Sequence, residues 1–274
     1  MIIDTFFTTI KNNKAQVGIG TLIIFISMVL IAAVAASVLL QTSGTLQQKS
    51  QATGKEASKE VSSNLMIEDV VGIRSKNSSL DMSASIDMLE IVLTLNTASA
   101  PVNLEQVILS ITDGSTTNDL VYAGNTRSKA PEFGIDASMS GFGSVAVTNR
   151  QLLATGNTTL AASSGNVTLV NSRSYFTVDK IRDEDSSFQQ SNPTMTTGDY
   201  VIIYASTASL STVSTGYTTL KDANVSSSLK STGLNILPRS PLIIVLTPEA
   251  GASATVNIIM PSTYGAQEMM QLFP

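Results

Sequence analysis

The 274-residue sequence contains no cysteine, no histidine and no tryptophan. Without cysteine and histidine there is no thiol nucleophile, no imidazole base, and no basis for most zinc or iron sites or for a Ser-His-Asp triad. Most common types of catalytic site are therefore excluded, and we expect no catalytic residues and no cofactor. The missing cysteines do not argue against an extracellular location, because a C-terminal region of about 200 residues can bury enough apolar surface without disulfides.

Charged residues are also scarce. They form 14% of the chain, compared with roughly 25% in soluble proteins, and the formal net charge is −5. The 16 lysines and arginines are scattered along the sequence, whereas phosphate binding requires them to be clustered. A nucleic-acid partner is therefore excluded.

The sequence does have one long apolar run, residues 19–40, which contains no charged residue, Pro, Asn or Gln. A helix of this length is about 33 Å long and can cross the roughly 30 Å hydrocarbon core of a bilayer. A membrane anchor is the simplest interpretation. A cleaved secretory signal is disfavoured because its apolar core usually spans only about 7–15 residues. Beyond Leu40 the pattern becomes amphipathic, which predicts that the helix continues toward Leu65.

A bundle of the same helices from many subunits would give this helix a second dry environment. Small side chains in the run, such as that of Ala33, permit close approach between helices. The residues predicted to form the polymerisation helix are Leu22, Phe25, Ile26, Val29, Leu30, Ala33, Val34 and Leu40.

A short leader with Lys11 and Lys14 precedes the apolar run. This arrangement resembles a type III (prepilin-like) signal, in which a membrane-embedded peptidase cuts on the cytoplasmic side and the helix stays on the mature protein. The best match to the basic-then-small pattern is Lys14-Ala15, which predicts cleavage before Gln16. Gly18 and Gly20 offer alternative bonds.

Residues 18–44, GIGTLIIFISMVLIAAVAASVLLQTSG, closely resemble the N-terminal helix of archaellins, the archaeal flagellins, and the match continues through LQQK at 46–49. Bacterial type IV pilins usually carry a Glu a few residues into the mature helix, where this chain has GIGT at 18–21. The resemblance implies an extracellular filament subunit of the archaeal flagellum (archaellum), which rotates for swimming. It also implies four kinds of partner: copies of itself or other archaellins, the signal peptidase, the archaellum assembly and motor machinery, and the membrane before assembly.

Three other interpretations stay open. An archaeal type IV adhesion pilus subunit would share the signal and the helix. A membrane-tethered surface domain would have the same anchor but would never polymerise. An enzyme is the least favoured, because histidine and cysteine are missing and no recognisable site is present.

From about residue 86 the helical period gives way to short β-branched runs separated by turn formers. The predicted strands are 88–95, 107–112, 120–122, 144–147, 167–170, 175–178, 200–205, 242–246 and 255–260. Strands at this spacing predict an antiparallel sandwich, and the resemblance implies an immunoglobulin-like one. The expected fold is α+β, with a long N-terminal α-helix followed by this sandwich. The predicted organisation is a signal peptide at 1–15, a polymerisation helix at 16–66 and a sandwich outer domain at 67–274.

Four sequons, at Asn77, Asn157, Asn166 and Asn224, are possible acceptors of N-linked glycan. A chain this rich in Asn, Ser and Thr produces several sequons by chance. Archaellins are often glycosylated, so the resemblance implies that at least one site is used. Asn157 and Asn224 are predicted to lie in the most loop-like contexts.

An acidic run offers a weak candidate for a hard-cation site through Asp179, Asp183 and Asp185. Carboxylates in a loop are typical ligands of Ca²⁺, which takes about six to eight oxygens. However, Lys180 and Arg182 lie in the same run and the spacing of an EF-hand is missing. A solvated loop that pairs its own charges is the favoured alternative.

Overall fold

The computed structural model describes residues 13–62, 65–96, 99–125, 138–162, 165–226 and 228–274. The chain divides into two compact units, Met1–Ala57 and Ser58–Pro274. Within the described residues the first unit is helical, and the second contains all the β-structure.

Helix α1, Asn13–Ser62, is 50 residues long. It continues without interruption through Gly44 and Gly54, the two glycines expected to weaken it. It ends before the predicted boundary at residue 66, because residues from Leu65 onward already pair as a strand. The other described helices are α2 Ala146–Thr155, α3 Asn171–Ser174, α4 Leu210–Thr215 and a 3-10 helix at Leu104–Gln106.

The second unit is built mainly from strands. In the described residues these are β1 Leu65–Ile73, β2 Lys76–Ser78, β3 Asp81–Met82, β4 Met88–Leu95, β5 Val102–Asn103, β6 Ile108–Thr112, β7 Thr117–Tyr122, β8 Asn157–Ala162, β9 Gly165–Val170, β10 Tyr175–Arg182, β11 Phe188–Gln189, β12 Asn192–Met195, β13 Tyr200–Ser206, β14 Thr219–Leu220, β15 Ala223–Asn224, β16 Pro241–Thr247, β17 Ala254–Ile259 and β18 Met269–Phe273.

Nine of these strands are connected in the order β17-β16-β6-β7-β10-β13-β4-β1-β18. Pairing is antiparallel throughout, except for a short parallel contact in which Tyr175 and Phe176 of β10 pair with β7. The sheet therefore consists of two antiparallel halves that meet at β7 and β10. One hydrophobic core contains buried residues of both halves, for example Ile244 of β16 and Ile91 of β4. The halves thus pack face to face, and the predicted α+β fold with an antiparallel sandwich is confirmed.

The burial of two strands explains why these residues form the core. In β16 the buried residues Leu242, Ile244 and Leu246 alternate with more exposed ones, which is the pattern of a strand with one face on the core. Strand β4 is buried along nearly its whole length, because Leu89, Ile91 and Leu93 pack in the main core and Met88 packs in a second buried cluster. Each fully buried aliphatic side chain contributes about 1.5–3 kcal/mol.

The strand predicted at 144–147 is wrong. Its apolar residues belong to the N-terminal end of α2, which buries Asn149, Arg150, Leu153 and Ala154 along one helical face. Residues at i, i+1, i+4 and i+5 lie together on a helix but not on a strand. Strands β1, β8 and β18 are also absent from the predicted set. Of these, β1 pairs with both β4 and β18.

Candidate assembly surface

The apolar surface of α1 is fully exposed in this single chain. All its large apolar side chains from Val17 to Leu46 are exposed, including Leu22 at 58% and Leu30 at 61%. In the described part of the chain, Val17–Ser58 is the one segment that is long and apolar enough to cross a membrane by length and composition. A helix that is apolar on all sides is normally buried in a core or in lipid.

The predicted polymerisation residues all lie on this exposed surface: Leu22, Phe25, Ile26, Val29, Leu30, Ala33, Val34 and Leu40. With 100° between successive residues, they cover one broad side of α1. Ile24, Met28 and Ile31 extend the apolar surface around the rest of the helix. Neighbours can therefore cover α1 from several directions at once.

Exposure of this helix to water is costly. At about 25 cal/mol per Å² of apolar surface, its large side chains represent tens of kcal/mol relative to a dry environment. Relative to lipid the difference is much smaller, because lipid tails are as apolar as the helix surface. Membrane insertion and helix bundling both remove the apolar surface of α1 from water.

The hydroxyl groups within the apolar segment are compatible with a dry environment. Thr21 Oγ1 donates to the Gly18 carbonyl at 2.9 Å, and Ser27 Oγ donates to the Ile23 carbonyl at 2.8 Å. Such bonds satisfy the hydroxyl protons inside the same helix. These two side chains need neither water nor a partner from a neighbouring helix.

The predicted cleavage site, Lys14, Ala15 and Gln16, lies in the first turn of α1, and Lys11 lies outside the described residues. The first four N–H groups of a helix have no partner within the helix. Cleavage before Gln16 stays a prediction.

The four sequons differ in what holds their asparagines. Asn157 and Asn166 are exposed residues on β8 and β9, which pair as a separate hairpin. In contrast, Asn77 is hydrogen-bonded through both ends of its amide. Its Nδ2 donates to Asp81 Oδ2 at 3.0 Å, and its Oδ1 accepts from the Thr218 N–H at 2.9 Å.

In the fourth sequon, the asparagine side chain is hydrogen-bonded to the serine of the same sequon. Asn224 Oδ1 accepts from the Ser226 hydroxyl at 2.6 Å and from the Ser226 N–H at 3.0 Å. The prediction of loop contexts at Asn157 and Asn224 is wrong, because Asn157 begins β8 and Asn224 ends β15. Glycan attachment at any of the four residues stays a prediction.

The acidic run is arranged differently from the expected set. Asp183, Asp185 and Asp199 each offer a carboxylate oxygen within 4.8 Å of the others, whereas Asp179 lies 3.6 Å from Arg150. Asp199 joins the cluster because β10 and β13 pair as antiparallel neighbours, which brings the residues after β10 next to those before β13.

Hydrogen-bond donors already surround these three carboxylates. Asp183 accepts from Lys180 Nζ at 2.8 Å, and Asp199 accepts from the Thr196 N–H at 2.7 Å. Hydrogen bonds from Ser187 and Thr196 lower the pKa of Asp185. Lys180 pairs with Asp183 within the loop, and cation binding by these carboxylates stays a prediction.

Together, the long apolar helix and the antiparallel sandwich define the class: a β-sandwich protein whose N-terminal helix requires a dry environment. The family model of archaeal-type flagellins matches residues 15–258. The chain belongs to this family, whose members are structural subunits of a filament, the archaeal flagellum.

Individual relatives agree with this assignment. The chain is 34% identical to flagellin B2 of Methanocaldococcus jannaschii over 267 residues, which cover 97% of this chain and 98% of that protein. It is 31% identical to flagellin B3 of Thermococcus kodakarensis, with 95% and 98% covered. The solved archaeal flagellum of Methanospirillum hungatei is similar in fold, with a TM-score of 0.51, 14% identity, and 90% and 95% of the two chains covered.

Proposed function

We propose that this chain builds its filament by burying α1 against the same helix of neighbouring subunits. The observation that carries the proposal is the apolar surface of α1, which is exposed on all sides from Val17 to Leu40. A simple membrane anchor needs only a span of sufficient length. The sequence of residues 18–44, which resembles the N-terminal helix of archaellins, and the family assignment favour assembly into a filament.

Two further steps belong to this proposal. Before assembly the precursor lies in the cell membrane with α1 as its span, and a prepilin-like peptidase removes residues 1–15. The helix then leaves the membrane for the filament core. Because that transfer exchanges one apolar environment for another, it yields little free energy, and the archaellum assembly machinery must drive it. The motor then rotates the extracellular filament for swimming.

The test is to place a charge in the proposed core. We expect Val29→Asp and Ala33→Asp to abolish incorporation into filaments, because an unpaired carboxylate in a dry core costs several kcal/mol. The matched control is Gln51→Asp, which introduces the same carboxylate at an exposed position in the polar half of α1. Filaments sheared from the cells are measured by electron microscopy and by mass spectrometry of the subunit.

Normal filaments from Val29→Asp would contradict the helix core. If the unaltered chain occurs only in the membrane fraction, with no filaments, a membrane-tethered surface domain would replace the proposal.

A further inference from the structure

The chain makes a sharp turn just before strand β16. We call it the cationic turn, and it consists of Leu237, Pro238, Arg239 and Ser240. The Ser240 N–H donates to the Leu237 carbonyl at 3.1 Å, and the Arg239 N–H donates to the Pro261 carbonyl at 3.1 Å. The ring of Pro238 fixes the backbone just before Arg239. These constraints hold the turn in one shape.

Arg239 occupies an unfavourable position in this turn. Its φ of +67° lies in the left-handed region, which favours glycine. A turn with proline in second place and a positive φ in third place normally has Gly there. The arginine is exposed, and among the described residues its side chain forms no ion pair. Its charge is therefore available to a partner outside the chain.

A cavity of about 300 Å³ lies beyond the other end of β16. We call it the acidic groove, because Glu105 of the 3-10 helix and Glu249 line it. Ile108, which is 45% exposed, and Val121 form part of its apolar wall. In the part of the chain that the structure describes, neither glutamate forms an ion pair. Gln106 donates its amide to Glu249, but this donor is neutral and leaves the negative charge in place.

The cationic turn and the acidic groove are complementary. A guanidinium group presents its N–H donors as a planar fork that fits carboxylate oxygens. A cavity of about 150 Å³ admits a benzene ring, so the groove has room for a guanidinium group. Beside the arginine, Leu237 is 39% exposed and Ile259 is 80% exposed. Ile259 pairs with Pro241 at the start of β16, so both sides of the proposed contact have an apolar part next to the charge.

The turn and the groove cannot meet within one chain. Strand β16 separates them, and its seven residues span about 23 Å. Complementary surfaces at two different places on a subunit make a heterologous contact, and repetition of such a contact produces an open helical assembly. A filament requires contacts of this kind.

We propose that the cationic turn of one subunit docks into the acidic groove of the next, with Arg239 paired to Glu105 and Glu249. This contact joins neighbouring sandwiches, whereas the proposed helix core joins neighbouring α1 helices. It rests on the proposed function, because the filament is what brings successive copies of the chain together.

The experiment is a cross-link between subunits, and it is simple to interpret because the chain has no cysteine of its own. Arg239→Cys and Glu249→Cys are introduced into one full-length chain, and sheared filaments are treated with a bismaleimide. A spacer of about 10 Å is too short to bridge the roughly 23 Å of β16, so the reagent joins the two positions only between subunits. We expect denaturing electrophoresis to show a ladder of dimers, trimers and longer products.

The matched control pairs Arg239→Cys with Glu184→Cys, which alters a glutamate that is 79% exposed and lies outside the groove. This pair should give no ladder. A ladder of equal size from both pairs, or from neither, would overturn the contact. Dimers from Arg239→Cys alone would also overturn it, because the turn would then lie against its own copy.

A charge exchange tests the same contact without cysteine, and it decides the matter if the cysteine chains form no filaments. Arg239→Glu should lower the temperature at which filaments dissociate, because it places three carboxylates together. Adding Glu249→Arg to the same chain should restore that temperature, since the pair is rebuilt with its charges reversed. Unchanged filaments from Arg239→Glu, or no restoration in the double variant, would contradict the proposal.

Thermal unfolding of the full-length chain in detergent micelles separates this contact from the fold of the subunit. All six tyrosines lie in the unit that contains the sandwich, so tyrosine circular dichroism reports on its unfolding. Arg239→Gly relieves the backbone but gives the unfolded chain more freedom, so we expect Tm to change by less than about 3 °C. Its filaments should nevertheless dissociate at a lower temperature than wild type. A larger fall in Tm would assign Arg239 to the fold of the subunit.

The helix core has its own test, Val29→Asp. If that variant forms no filaments while filaments of Arg239→Glu are as stable as wild type, the contact between turn and groove fails and the helix core stands. Normal filaments from Val29→Asp together with a ladder from Arg239→Cys and Glu249→Cys would give the opposite result.

Discussion

The guanidinium of Arg150 lies 4.5 Å from the centre of the Tyr204 ring. The Lys221 ammonium group lies 5.1 Å from the same ring and pairs with Glu90 of β4. Arg150 belongs to α2 and Tyr204 to β13, so this one ring connects a helix and two neighbouring strands of the sandwich. A second arginine, Arg182, lies 4.5 Å from the ring of Tyr200 and also donates to the Gly198 carbonyl, which gives a comparison at a more exposed position.

The two arginines should differ in their contribution to stability, because they differ in exposure. The side chain of Arg150 is 7% exposed and that of Arg182 is 50% exposed. A cation over an aromatic ring contributes about 2 kcal/mol when desolvated and about 0.5–1 kcal/mol at the surface. We therefore expect Arg150→Met to lower the free energy of unfolding by about 2 kcal/mol, and Arg182→Met by less than about 1 kcal/mol.

The measurement is denaturant unfolding followed by tyrosine circular dichroism. An equal or larger loss for Arg182→Met, which also removes its hydrogen bonds to Gly198, would contradict the expected order of the two variants.

Asp87 and Asp113 should give opposite pH dependences of stability. Burial raises the pKa of Asp87 above its ordinary value of 3.8. Its contribution to stability is therefore complete below pH 3.8 and is lost as the pH rises through the folded-state pKa. Burial also acts on Asp113, but hydrogen bonds from Thr116, Asn235 and Ser115 outweigh it and lower its pKa. The contribution of Asp113 is present above pH 3.8 and is lost as the pH falls through its lower pKa.

The check compares Tm for wild type, Asp87→Asn and Asp113→Asn from pH 3 to pH 7 at constant ionic strength. Relative to Asp87→Asn, wild type should lose stability as the pH rises. Relative to Asp113→Asn, it should gain. The same sign for both variants would show that burial of Asp87 is not the dominant cause.

The comparison of sequence and structure shows what a local pattern can predict. The run 88–95 predicts β4 with its observed bounds, because a strand buried inside a sheet has a nearly continuous apolar sequence. The run 144–147 fails, since four apolar or small residues fit the start of a helix equally well. Strand β18 pairs with β1, some 200 residues earlier in the chain, and local periodicity carries no signal of such a partner.

The same limit applies to side-chain clusters. Asp183 and Asp185 are close in sequence, but Asp199 joins them only through the pairing of β10 with β13. The buried hydrogen bond from Thr212 to Asp87 is still harder to predict, because the two residues are 125 positions apart. The assembly helix is the reverse case. Its function depends on one continuous segment, so the sequence alone predicts both its length and its apolar surface.

All four sequon asparagines are exposed, so glycan attachment should follow the hydrogen bonds that hold their amides. We expect glycan on Asn157 and Asn166, which lie on the β8–β9 hairpin, and none on Asn77, whose amide is held by Asp81 and Thr218. Glycopeptide mass spectrometry of sheared filaments checks the occupancy. Asn166→Gln should remove one glycan without changing Tm. Asn77→Gln should leave the glycan mass unchanged and cost about 1 kcal/mol of stability. Glycan found on Asn77 or Asn224 alone would contradict this order.

Processing of the leader should depend on the residue just before the cut. We expect Ala15→Leu to leave an unprocessed precursor in the membrane fraction, because the basic-then-small pattern predicts a small side chain there, while Gly18→Leu is processed normally. Mass spectrometry of the N-terminal peptide distinguishes a chain that begins at Gln16 from one cut at Gly18 or Gly20. Normal processing of Ala15→Leu together with failure of Gly18→Leu would move the cut into the helix by about one turn. The mature α1 would then lose Gln16, Val17 and Gly18 but keep the whole apolar run from Ile19, so the proposed helix core of the filament does not depend on which bond is cut.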